Sequence, residues 1–400
     1  MTAPETERSF AAPAAPPWRA EPFRVFFPLA VVLGWVGVAP WLLYDLGLMA
    51  TYSCLFHGLV QMEAFMMAFA LGFLFTALPR RTRSAAPSAI EMAIAAVCLA
   101  LVAWASAAEH WALAQLAYAA IFLLLLRFAL RRFLGGGARR PPAAFVLIPI
   151  GVVHGLGGAA LIAASTFPDV PSWTLALGRL LVEQGVFLCF ATGIGSLVLP
   201  LMAGEQPPAD LDASPRERWK AVAYAAAGVT ILASLVGEQL GAEHAAPLIR
   251  AAVVALGLAL GGGTWRRPGK PGLHRRLVWL AAWLMPIGLA VAGLWPDYRV
   301  PGLHVLFIGG FSLMAYGVAS HVVFGHLGLD AAASGRPAAI VALGFTFVVA
   351  LLARVAADLS HTYFDHLAWG AACWLAGSVA WLAYLGPKLL SPRHAGSEGA

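Results

Sequence analysis

The chain has 400 residues, of which 60% are hydrophobic and only 12% charged, where an ordinary soluble domain carries about 25% charged residues. Its mean hydropathy of +0.77 leaves too few charges to cover a water-soluble globule and too many apolar residues for intrinsic disorder. The 41 Gly and 27 Pro follow no Gly-X-Y period, which excludes collagen and leaves an integral membrane protein. The net charge of +6 fits basic cytoplasmic loops better than a nucleic-acid partner. Cys54, Cys98, Cys189 and Cys373 form no CxxC or CxxCH spacing. A disulfide framework, a structural zinc site and covalently attached haem are therefore not expected.

Residues 1–22 combine Ala, Pro and charges with no apolar core, so they read as a disordered cytoplasmic tail rather than a signal peptide. A helix needs about 20 apolar residues to cross the hydrocarbon. Twelve stretches meet this, at 23–44, 55–78, 89–109, 111–133, 144–166, 174–202, 219–240, 245–264, 273–294, 302–325, 337–358 and 367–387. The expected fold is thus an all-α membrane domain of twelve helices over 23–388, with a second cytoplasmic tail at 389–400. Charge alternates along the connections. The odd loops hold acids such as Asp45, Glu109, Asp169 and Glu238; the even ones hold Arg80, Arg81 and Arg83, then Arg131, Arg132, Arg139 and Arg140, then Arg266, Arg267 and Lys270. Of 26 Lys and Arg, only Arg179, Arg250, Arg299 and Arg354 break this order. The positive-inside rule then places both termini in the cytoplasm.

Polar residues at membrane depth concentrate on spans 2, 6 and 10. Span 2 carries His57, Gln61 and Glu63, span 6 Arg179, Glu183 and Gln184, and span 10 His304, Ser312, Tyr316, Ser320 and His321. Leu59-Val60-Gln61 and Phe65 match Leu181-Val182-Glu183 and Phe187 at an offset of 122, and Pro79 and Pro200 close the two helices at nearly that spacing. This pattern suggests three pseudo-symmetric four-helix units with spans 2, 6 and 10 innermost.

Ionisable groups in hydrocarbon are costly, which makes each one a candidate for function. His57 and Gln61, four residues apart, share a helix face. Neutral imidazole is a usual haem axial ligand and a good copper ligand; an interfacial histidine at a helix start is the alternative. Glu63 lies on another face, suited to ion pairing, proton relay or support of a ligand histidine. Met62 is a soft donor or a core residue. Arg179 and Glu183 have the spacing of an intrahelical ion pair. His154 sits among Gly151, Gly155, Gly157 and Gly158, which admit a neighbouring helix or a flat ring. His304 and His321 are separated by about 25 Å of helix and cannot share a metal. His57 and His304 can, because both lie near the same ends of parallel helices. His321 and His326 form a second candidate site near the cytoplasm only if the helix ends by Gly325, since five helical residues diverge by about 140°. The chain contains no GxxxxGK[ST], HExxH or GxSxG, so no catalytic residue is marked.

Several segments resemble the NnrS family of bacterial membrane proteins. Pro22-Phe23-Arg24-Val25-Phe26-Phe27 is similar to the family's PFRPFF, and Gly72-Phe73-Leu74-Phe75-Thr76-Ala77-Leu78-Pro79 to its GFLLTAVP. Leu177-Gly178-Arg179 and Gly193-Ile194-Gly195 resemble its sixth helix. Leu303-His304, Gly309, Leu313-Met314, Gly317 and Gly325-His326 resemble its LHALTVGAMGLMILGVMTRVALGHTG. The chain departs from the family's HAHEM: His57 matches the first His, while Leu59 and Val60 stand at the second His and the Glu. The resemblance implies a twelve-helix bacterial inner-membrane protein associated with haem and copper and linked to nitric oxide, with His57, His304 and His326 as candidate ligands and Arg24 as a motif residue.

Haem-copper oxidases also have twelve helices in three groups of four. The chain has no HPEVY-like segment, adjacent His pair or His-x-His, so oxygen reduction is not expected. A secondary transporter lined by the same polar residues, with Pro149 and Pro286 interrupting helices, and a ligand-free scaffold are the competing readings. The charge order makes a direct prediction: a reporter that fluoresces only in the cytoplasm, fused after residue 400, is fluorescent, while alkaline phosphatase at the same position is inactive.

Overall fold

The computed structural model describes residues 16–134 and 140–391. Residues 1–15 and 392–400 of the expected tails, and the Gly135–Gly137 break with Arg139, lie outside the described residues. The described chain is all-helical, and twelve helices are long and apolar enough to span a membrane. Spans 1 to 6 are Phe23–Asp45, Cys54–Thr82, Ala89–Ala107, Trp111–Arg132, Ala143–Ala164 and Trp173–Ala203. Spans 7 to 12 are Pro215–Gln239, Ala245–Gly262, Leu273–Leu294, Pro296–His326, Asp330–Ala357 and Tyr363–Leu390. Ser88 and Ser214 cap spans 3 and 7 by accepting from backbone N–H groups three residues on, as helix starts require.

The expected tail ends earlier than residue 22. Pro17–Ala20 form a helical turn, and Glu21 is fully buried. Its carboxylate accepts from Arg24 Nε at 2.7 Å and lies 3.5 Å from Arg80. Arg24 in turn donates to the carbonyls of Leu389 and Ser391 at 2.7 and 2.8 Å. This network ties the start of span 1 to the end of span 12. A buried guanidinium needs such partners, which is why the segment before span 1 is drawn in.

Spans 2, 6 and 10 are the inner helices. In their most apolar windows 83, 72 and 67% of residues are buried, against 28–56% in the other nine. Each contains a π-helical segment: Val60–Met66, Leu181–Gly185 and Val305–Ser312. These start 121 and then 124 residues apart. Pro79 and Pro200 share the first spacing. The repeat is therefore present, but its register is one residue shorter than the offset of 122 read from residue identity. In an apolar sequence Leu and Val recur by chance, whereas the wide turns mark equivalent positions directly.

Small residues set the helix approaches. A Cβ on Gly155 would lie 2.1 Å from the Phe122 ring, and one on Gly158 2.9 Å from the Gly178 carbonyl. The glycines around His154 thus serve close packing of spans 4, 5 and 6. At one end of the bundle Glu238 of span 7 is buried between Arg250 of span 8 and Arg299 of span 10, and accepts from both. Removing one partner of a buried ion pair costs about 3–5 kcal/mol. Glu238→Ala is therefore expected to lower the thermal midpoint of the purified protein markedly, and Glu238→Gln less, as followed by a thiol-reactive unfolding dye.

Candidate functional site

One polar cavity, of about 350 Å³, opens among the starts of spans 2, 6, 10 and 12, the end of span 11 and span 1. Its lining includes His57, Gln61, Arg179, Glu183, His304 and Arg354. The parallel directions of spans 2, 6 and 10 put their polar groups at one end of the bundle, where His57, Gln61, Arg179, Glu183 and His304 each lie in or just before a π-helical segment, and Arg354 joins them from the end of span 11. Wide turns of this kind occur frequently at functional sites.

The two histidines are held alike. His57 Nδ1 lies 2.8 Å from the Gly37 carbonyl of span 1, and Trp41 meets its ring edge-on at 5.6 Å between centroids. His304 Nδ1 lies 2.9 Å from the Val300 carbonyl one turn earlier. A carbonyl can only accept, so Nδ1 is the protonated nitrogen in both. Nε2 is left with its lone pair, the arrangement found behind most metal-ligating histidines. Gln61 Nε2 donates to the Gly34 carbonyl at 2.9 Å, which fixes span 2 against span 1 one turn below His57.

Arg179 Nε donates to Glu183 at 2.8 Å, the intrahelical pair expected from their spacing. Gly58 allows this pair to approach span 2: a Cβ there would lie 2.9 Å from Glu183 Oε1. Arg354 pairs with Asp358 and faces the same cavity from span 11. Sequence reading did not select Arg354 as a site residue. Its signal was topological, since it is one of the four cations that break the charge alternation. The other two, Arg250 and Arg299, are consumed by Glu238.

Other expected site residues lie elsewhere. Glu63 is fully buried on the far face of span 2, where Gln115 Nε2 of span 4 donates to both of its oxygens at 2.8 and 3.0 Å. His154 is buried against Gly185 and Cys189, with its Nδ1 3.8 Å from the Cys189 sulfur. Neither lines the polar cavity. Arg24 belongs to the network at the opposite end. His321 and His326 do not converge, because the helix continues through His326 and carries the two rings apart. His321 instead faces His274, with 3.3 Å between nitrogens. His326 bonds the Val322 carbonyl and packs its ring on Phe23, 4.9 Å between centroids. His274, at the start of span 9, is buried.

Twelve membrane-spanning helices around an internal cavity lined by imidazole and guanidinium groups define a multi-pass membrane protein with a polar cavity in its bundle. The chain belongs to the NnrS family, whose model, described as NnrS protein, matches residues 17–393. The resemblance drawn from the Arg24, Gly72–Pro79 and His304 segments is thereby borne out. No curated protein matches the chain.

Cys54 lines the mouth of the cavity and is exposed, whereas Cys189 is buried. A membrane-impermeant maleimide added to intact spheroplasts is expected to label Cys54, and Cys189 only after denaturation, as read by mass spectrometry.

Proposed function

We propose that this is a haem-binding protein of the bacterial inner membrane that acts in nitric oxide metabolism or resistance to nitrosative stress, including during denitrification. The family carries the link to nitric oxide. The observation that supports haem is the matched presentation of His57 and His304 in one cavity, each with Nδ1 bonded to a backbone carbonyl. His57 and His304, on separate helices, would hold the haem iron, with one of the two imidazoles exchangeable for a small gas ligand. Arg179 and Arg354 are suited to the haem carboxylates, because guanidinium groups bind carboxylates through paired charge-assisted hydrogen bonds. Trp41, Phe65 and Trp374 supply apolar walls that would exclude water from a bound haem.

Haem held there would supply an iron centre for binding nitric oxide or exchanging an electron with it. The chain's own residues do the rest. His57 and His304 hold their tautomers through Gly37 and Val300, and Glu183 keeps Arg179 aimed along span 6. The donor set fits copper less well. Among the described residues no three His, Cys, Asp or Glu converge, and the sulfur and imidazole donors that line the cavity with His57 are Met62, Cys54 and His304 rather than a second histidine of its own helix.

The purified protein, loaded with haem during expression, is expected to show a Soret band. His57→Ala and His304→Ala should each lose or shift it, while His326→Ala should leave it unchanged. A colourless protein under haem supplementation would sink the proposal. Arg354→Gln is expected to weaken haem retention about tenfold, the loss of roughly one charge-assisted hydrogen bond, measured by transfer to apomyoglobin.

A further inference from the structure

Beneath the polar cavity lies a second one, of about 80 Å³, on the axis between the three inner helices. All of its lining side chains are apolar, and none is exposed. It is built in the same repeat register as the π segments. Met66, Phe187 and Phe311 form one tier, and Ala70, Ala191 and Ala315 the next, each spaced by 121 and then 124 residues. Three alanines at one level, where each helix places a large residue a turn above, leave the axis open instead of filled. Met66 also lines the polar cavity, so the two spaces meet at its side chain.

The chemistry of this space selects its occupant. A water needs roughly 10–15 Å³ of such volume, and also two to four polar partners. This cavity has the room and offers no polar side chain. Dry cavities of this kind accept small apolar solutes, xenon among them. An ion or polar metabolite would lose its hydration without replacement. We infer that the alanine-ringed cavity is a binding chamber for a small uncharged gas molecule, which passes Met66 to reach the polar cavity. The inference deepens the reading of the polar cavity as a gas-reactive haem site, and its delivery role rests on that reading; the chamber itself does not.

The test separates the two. Crystals of the full-length protein under xenon pressure should show an anomalous peak within the Ala70, Ala191 and Ala315 ring. Ala191→Leu and Ala315→Leu, a second variant being made in case one fails to fold, should abolish it. His57→Ala, which removes a proposed haem ligand but no chamber residue, should retain it. In haem-loaded protein, the same leucine variants should slow bimolecular carbon monoxide recombination after photolysis at least threefold, with an unchanged Soret band. Absence of the xenon peak, or a lipid chain or ordered water in its place, overturns the chamber. A xenon peak with unchanged recombination overturns delivery. A retained xenon peak in a protein that binds no haem overturns the haem reading and leaves the chamber standing.

Discussion

Inside a bilayer a charged side chain must find its counter-charge within the protein, and much of this structure follows from that requirement. Glu238 gathers Arg250 and Arg299 and pins spans 7, 8 and 10 at one end. Glu21 and Arg24 join the two ends of the chain at the other. Both networks are packed closed. Arg179 with Glu183 and Arg354 with Asp358 differ, because each pair borders an open cavity and retains donors facing it. The same rule of pairing thus yields two kinds of site: fasteners where the surroundings are filled, and a candidate ligand site where they are not.

The inner helices impose a second order on the molecule. Their π segments begin at equivalent positions, and the residues facing the axis keep that register from the polar cavity down to the alanine tier. A single geometric repeat therefore builds two chemically different spaces. Above, the repeat carries Met62, Glu183 and Phe307, joined by His57, Arg179 and His304 from the starts of spans 2, 6 and 10 and by Arg354 from the end of span 11. Below, it carries only apolar side chains. The polar groups are held at one depth because the carbonyls of Gly37 and Val300 and the carboxylates of Glu183 and Asp358 lie there to satisfy them.

Glu63 and His154 show how a correct general rule misplaces particular residues. Both are polar at membrane depth, and both are for that reason candidates for function. Helical periodicity alone, however, does not say which neighbour fills the opposite face. Gln115 meets Glu63 from span 4, and Phe122 and Phe190 occupy the glycine notches around His154. These outcomes depend on which outer helix stands behind each inner one. The divergence of His321 and His326 has a simpler cause: the helix stays regular one residue past Gly325, through His326, which keeps the two rings apart and leaves His321 facing His274.

Hydropathy and charge order alone determined twelve membrane helices, because the need for about 20 apolar residues per crossing is local and one-dimensional. The choice of spans 2, 6 and 10 as the inner helices was also legible, since polar residues are tolerated only where protein rather than lipid surrounds them. The family resemblance was carried by short motifs at the same helices. What tertiary structure decided was partnership. It brought His57, His304, Arg179 and Arg354 from four helices to one cavity, assigned the histidine tautomers through Gly37 and Val300, and corrected the repeat register to that of the π segments. The reason is physical: burial cost can be read residue by residue, but the group that compensates it is fixed only when the helices pack.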